Sequence, residues 1–173
     1  MKRLLLVLLT LFTVTTGFAQ TVRWHTFVEA LELNKKEPRK IIVDVYTDWC
    51  GWCKVMEKNT YNHKIIAEYI NKTYYVVKLN AEQKEDVEIG DKTYKFVAQG
   101  RRGYHELAAI LLQGNMVYPS VVFLDEKVRI IQSFQGYIRA KQFDEITKYI
   151  GENHYISKSW DDFIAGYKSK VTE

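Results

Sequence analysis

The sequence has two cysteines, two prolines and four histidines in 173 residues. So little cysteine excludes a fold held by several disulfides, and a chain of this length buries a core without cross-links. A structural zinc takes four ligands, commonly from two cysteine pairs or from one pair and two histidines. There is no second pair, and His25, His63, His105 and His154 never fall three to five residues apart. The pattern gives no metal site. A strong charge excess is also missing, with 25 Lys and Arg against 21 Asp and Glu. That balance leaves no electrostatic footprint for nucleic acid. Internal repeats, low-complexity tracts and linkers are absent as well.

At the front, "MKRLLLVLLTLFTVTTGFAQ" has a basic start, an apolar run from Leu4 to Val14 and a small-x-small signature at Gly17-Phe18-Ala19. This pattern is a secretory signal peptide over residues 1–19, cleaved after Ala19. The run is shorter than the roughly 20 apolar residues that a membrane span needs. No cysteine follows the cleavage point to be lipidated, so no membrane anchor is expected after cleavage. The mature chain, residues 20–173, is one domain in size. Its charge is near neutral, because Lys2 and Arg3 leave with the leader.

Along the mature chain, Trp24, Phe27, Val28 and Leu31 have helical spacing. "KIIVDVYT" reads as a strand buried on both faces, with Asp44 at its centre. A helix opens through "CKVMEK", breaks at "NTYNH", and resumes with a cap from Asn62. "TYYVVKLN" is a second buried strand. "VEIGDKTYKF" predicts a hairpin turning at Gly90-Asp91, "QGRRG" a solvated basic loop, and "YHELAAILLQ" a helix ended by Gly114. "YPSVVFLDE" and "VRIIQSFQG" read as adjacent strands. Phe143, Ile146 and Ile150 mark a helix stopped at Gly151. Ser159 caps a last helix whose stripe is Trp160, Phe163, Ile164 and Tyr167. The expected fold is α/β, a central mixed sheet with helices on both faces.

The two cysteines, Cys50 and Cys53, stand in "DVYTDWCGWCKVM". Two intervening residues allow a bridge in a small strained ring, and strained or exposed bridges are the labile ones. At a strand-to-helix junction Cys50 faces unpaired helix N–H groups, which favour a thiolate. Cys53, one turn further in, is expected to be more buried and placed to resolve a mixed disulfide on Cys50. A buried carboxylate is unfavourable unless it is paired. Asp44 is therefore either a structural acid satisfied by backbone donors or Lys78, or the proton acceptor for Cys53. The nearby pair favours the second reading.

With these residues in hand, "IIVDVYTDWCGWCK" resembles the strand, active-site and helix segment of the thioredoxin superfamily, in register from Ile41 to Lys54. Trp49 matches the tryptophan before the first cysteine, and Asp44 the buried acid. "VVKLN" places Lys78 at the lysine that supports that acid. "YPSVVFLDE" places Pro119 at the cis-proline, and Gly136 matches the glycine after the last strand. The likeness covers residues 22–151 and implies a substrate groove lined by Trp49, Gly51, Trp52, Tyr118 and Pro119. Gly51-Trp52 replaces the common Gly-Pro, and Lys58 stands where many thioredoxins carry a kinking proline. Trp52 is either a contact for a partner chain or an inert cap on the helix. An insertion over about residues 81–104 and a C-terminal helical extension over about 152–173 go beyond the minimal fold. The extra hairpin and "QGRRGYHELAAILL" resemble exported thioredoxin-related proteins with a Cys-Gly-Trp-Cys site.

The implied function is a periplasmic (alternatively secreted) thiol–disulfide oxidoreductase without a cofactor beyond the redox-active Cys50–Cys53 disulfide. It would act as a monomer on cysteine-containing substrate proteins. Compartment and family together imply reset by a membrane-embedded electron donor. Reduction is favoured over oxidation or isomerisation, since no histidine lies between the cysteines and no dimerisation domain is present. The competing reading is a thioredoxin-like binding module or chaperone-like scaffold with a static bridge.

Overall fold

The computed structural model describes residues 21–100 and 102–172. The leader expected over residues 1–19 lies outside them. In chain order, the first half runs β1 (Trp24–His25), α1 (Phe27–Lys36), β2 (Lys40–Tyr46), α2 (Gly51–Met56), a π-helical turn (Glu57–Tyr61), α3 (Lys64–Thr73) and β3 (Tyr74–Asn80). Two hairpins follow, β4 (Val87–Ile89) with β5 (Lys92–Tyr94) and β6 (Phe96–Gln99) with β7 (Arg102–His105). The second half holds α4 (Glu106–Leu111), β8 (Ser120–Leu124), β9 (Ile130–Gln135), α5 (Ala140–Gly151), α6 (His154–Ser157) and α7 (Trp160–Gly166).

The main sheet has the order β1-β3-β2-β8-β9. β1, β3 and β2 are parallel, whereas β8 runs antiparallel to β2, and β9 to β8. The expected mixed α/β fold is present. Side chains alternate between faces along a strand, and β2 divides the core accordingly. Ile41, Val43 and Val45 face α1 and α4, packing with Phe27, Ala30, Leu107 and Leu111. Ile42 faces the other way, with Met56, Tyr61, Ile66, Ile70, Phe143, Ile146 and Ile150. Both faces of the sheet are thus covered, which is why its central strands read as continuous apolar runs.

Several local expectations are corrected. Trp24 lies in β1 rather than in the first helix, because Thr26 starts that helix through a reciprocal capping box with Glu29. The buried face of α1 is then Phe27, Ala30 and Asn34, while Val28 is exposed. The cysteine helix does break within "NTYNH", at Asn62–His63, but it does not stay α-helical up to that point. It widens into the π turn, where the Asn62 N–H donates to the Glu57 carbonyl five residues back. Asn62 ends that turn, and the cap of α3 is His63, which makes no side-chain capping bond. Within "QGRRG", Gln99 pairs with Arg102, so these two residues belong to the β6–β7 hairpin rather than to an open loop.

Gly151 is the last residue of α5, and the left-handed residue beyond it is Asn153 (φ 62°). The glycine is needed for another reason. A Cβ there would lie 2.6 Å from the Tyr69 hydroxyl and 2.7 Å from that of Tyr74. In α7 only Phe163 of the predicted stripe is buried. Trp160 packs edge-on to Tyr149, and Tyr167 stacks on Phe163.

Candidate active site

β2 ends at Tyr46, and the chain turns through Thr47–Trp49 before α2 begins. Cys50 is the N-cap of α2, and its Sγ accepts a hydrogen bond from the Cys53 N–H at 3.1 Å. The two sulfurs form a disulfide. Both residues are only 5% exposed, so the expected difference in burial between them is absent in the oxidised state.

β8 begins where β2 ends, with Val45 opposite Ser120. That register brings the Tyr118–Pro119 peptide, which is cis, to the same end of the sheet as the cysteine loop. The Gly136 N–H, at the end of β9, donates to the Pro119 carbonyl at 2.8 Å, and its φ of 86° suits a glycine.

Two exposed indoles flank the bridge. Trp49 is held from three sides. Its Nε1 donates to Glu82 at 3.0 Å, its ring meets Tyr118 edge-on at 6.0 Å, and the Arg102 guanidinium lies 5.6 Å above it. Glu82 and Arg102 both belong to the excursion between β3 and α4. Trp52 contacts the Tyr137 ring at 5.4 Å and is otherwise open. Gly51 is exposed, with open space where a side chain would be. Burial, helped by the Glu82 charge, pushes the Tyr118 phenol up to about 12.

Asp44 sits under this surface, buried at the centre of β2 with Lys78 and Val121 as its neighbours across the sheet. Its position in the alternation puts it on the Ile42 face, against the cysteine helix and the π turn. Burial pushes its carboxyl up to about 7; the Lys78 charge and the Tyr61 hydroxyl pull it down, and the Glu57 charge pushes it up. No hydrogen bond of ordinary geometry joins Tyr61 to it, and the buried Tyr61 hydroxyl has none elsewhere among the described residues.

Lys78 is not bonded to Asp44, the partner the sequence suggested. Its Nζ pairs with the Glu57 carboxylate and lies 4.7 Å from the Trp24 ring and 5.0 Å from the Tyr46 ring. Among the described residues, no group of three or more His, Cys, Asp or Glu side chains is arranged to hold a metal ion.

Sequence reasoning did not find Glu57, Tyr61, Glu82, Arg102 and Tyr137. Glu57 stands four residues after Cys53, a spacing that puts both on one helical face, so it carried a usable signal. The others are set by tertiary contacts alone.

Residues 13–162 match the Thioredox_DsbH family model, described as "Protein of unknown function, DUF255". Among curated proteins, Spermatogenesis-associated protein 20 of Mus musculus is 30% identical over 79 residues, which are 45% of this chain and 10% of that protein. The chain thus matches about a tenth of the length of this curated relative. Among solved structures, a DsbH oxidoreductase superposes with a TM-score of 0.56 at 17% identity, covering 78% of this chain and 87% of that one. A thioredoxin-fold protein from Helicobacter pylori gives 0.54 at 18%, covering 74% and 79%. At such identities these two likenesses speak to the fold.

Proposed function

The chain belongs to the Thioredox_DsbH family, and from that premise we propose that it is an exported, periplasmic thiol–disulfide oxidoreductase that reduces disulfides in other proteins. The observation that carries this reading is the Cys50–Cys53 bridge at the head of α2, flanked by two exposed indoles and the cis Tyr118–Pro119 turn.

In the reduced enzyme the Cys50 thiolate attacks one sulfur of a substrate disulfide. A Cys50–substrate bond forms and the first substrate thiolate leaves. The Cys53 N–H that faces Cys50 Sγ stabilises the negative sulfur before attack. Asp44 then takes the Cys53 proton, directly or through a water. The Cys53 thiolate attacks Cys50 Sγ, the Cys50–Cys53 bond closes, and the second substrate thiolate is released. Two electrons pass from the dithiol to the substrate. The substrate backbone pairs with the turn at Pro119 by strand addition, with Trp49, Gly51, Trp52 and Tyr118 around it. Lys78 stands beside the buried acid on the neighbouring strand, with its ammonium paired to Glu57. A membrane-embedded donor of two electrons resets the bridge, and the oxidoreductase works as a monomer.

A second reading, a binding module with a static bridge, draws on the burial of both sulfurs. One experiment separates the two. Insulin is the disulfide substrate, and a Cys53→Ser chain is incubated with it. An adduct through Cys50 that dithiothreitol reverses is expected. Reduction of insulin by the wild type, with no adduct from Cys53→Ser, overturns the proposed mechanism. Resistance of the wild-type bridge to mild dithiol favours the static module.

A further inference from the structure

Lys78 and Asp44 are direct neighbours across β2 and β3, on the same face of the sheet. Adjacent strands lie about 4.8 Å apart, so Asp44 is the carboxylate that the lysine meets by default. The ammonium instead turns to Glu57, the first residue of the π turn, and is enclosed by the Trp24 and Tyr46 rings. The remaining groups facing Asp44 are the Tyr61 hydroxyl from the same turn and Tyr46 from β2 itself; β8 contributes the apolar Val121 opposite it, and Met56 of α2 and Phe143 of α5 belong to the apolar layer on the same face of the sheet.

We propose that Glu57 is a positioning residue of the redox centre: by engaging Lys78 it withholds that charge from Asp44 and keeps the buried carboxyl basic enough to take a proton from Cys53. The inference rests on the assignment of Asp44 as proton acceptor. A carboxylate paired with an ammonium ionises well below neutrality and has little drive to accept a thiol proton. Glu57 acts through Lys78 and needs no contact with either sulfur. Its half-exposed place at the rim of the turn also spares the pair the desolvation of a fully buried one.

The test follows the Asp44 carboxyl carbon by NMR while the oxidised full chain is titrated, with Asp44→Asn assigning the signal. Glu57→Gln frees Lys78, and the Asp44 midpoint is expected to fall by about one pH unit or more. Glu57→Asp keeps the charge on a shorter arm, and a smaller fall in the same direction is expected. A midpoint that stays put or rises in both variants overturns the proposal, whatever happens to their melting temperatures. Insulin reduction by Asp44→Asn is measured in parallel. If its rate and pH profile match the wild type, the role of Asp44 as proton acceptor fails, and the NMR midpoint still decides how Glu57 and Lys78 divide the charge.

Discussion

Burial sets the behaviour of Asp44. Folding raises its carboxyl from the ordinary 3.8 to about 7, so the folded protein binds this proton more tightly than the unfolded chain does. A raised carboxyl costs nothing below pH 3.8, where both states are protonated. The cost grows between pH 3.8 and about 7 and is constant above. Asp44→Asn should therefore stabilise the protein by a few kcal/mol at pH 8, with the gain shrinking to nearly nothing by pH 4. Urea midpoints of the two proteins at both pH values test this. A gain that is the same at pH 4 and pH 8 would assign it to packing instead of ionisation. The same substitution should slow the closing step that follows attack on substrate, so stability and turnover move in opposite directions. Asp44 was legible because a lone acid in an apolar strand demands an explanation. The Glu57 partnership was not, because a lysine beside an aspartate in sheet register gives no sign that it will turn to a third group.

Elements were legible where local chemistry and tertiary burial agree. β2, β3 and β8 are runs of β-branched and aromatic residues, and the Gly90-Asp91 turn of the first hairpin is written in its residue types. The π turn leaves no such trace, because its fit depends on Thr60 donating to the Ile138 carbonyl and on Tyr61 packing between Trp24 and Phe143. The second hairpin was missed because "KFVAQGRRGYH" alternates weakly and reads as exposed polar chain. Gly151 looked like a helix stop when it is a packing residue. Alanine there gains helix propensity worth up to about 1 kcal/mol, but its methyl collides with the Tyr69 and Tyr74 hydroxyls. The Tyr74 hydroxyl is already committed to the Thr147 carbonyl at 2.6 Å. The collision should win, with a net loss of about 1–3 kcal/mol. Gly166→Ala, in the open space of α7, should be neutral or slightly stabilising. Equal melting shifts for the two substitutions would refute this account of Gly151.

For the whole molecule, stability resides in the two apolar layers about the sheet rather than in the cysteine bridge. The bridge spans residues only three apart, and a loop that short restricts the unfolded chain little. Reduction should therefore lower stability by roughly 2 kcal/mol or less, leaving a single cooperative transition. Loss of the folded state on reduction, seen by circular dichroism, would contradict this. The central strands β2, β3 and β8 could be read from the sequence because each pattern reported its own burial, whereas the two-residue edge strand β1 could not. The arrangement around Trp49 could not, since Glu82 and Arg102 reach it from a part of the chain more than thirty residues away.

The excursion that supplies those two residues leaves the core at Ala81 and comes back at His105, and the His105 N–H donates to the Ala81 carbonyl at 2.7 Å. Its two ends are therefore clasped to each other, while Val87, Ile89 and Tyr94 between them pack against the apolar layer on the Val43 face of the sheet. A segment closed at its base in this way can be lengthened or trimmed at its hairpin tips while the strands beneath the cysteine bridge keep their register.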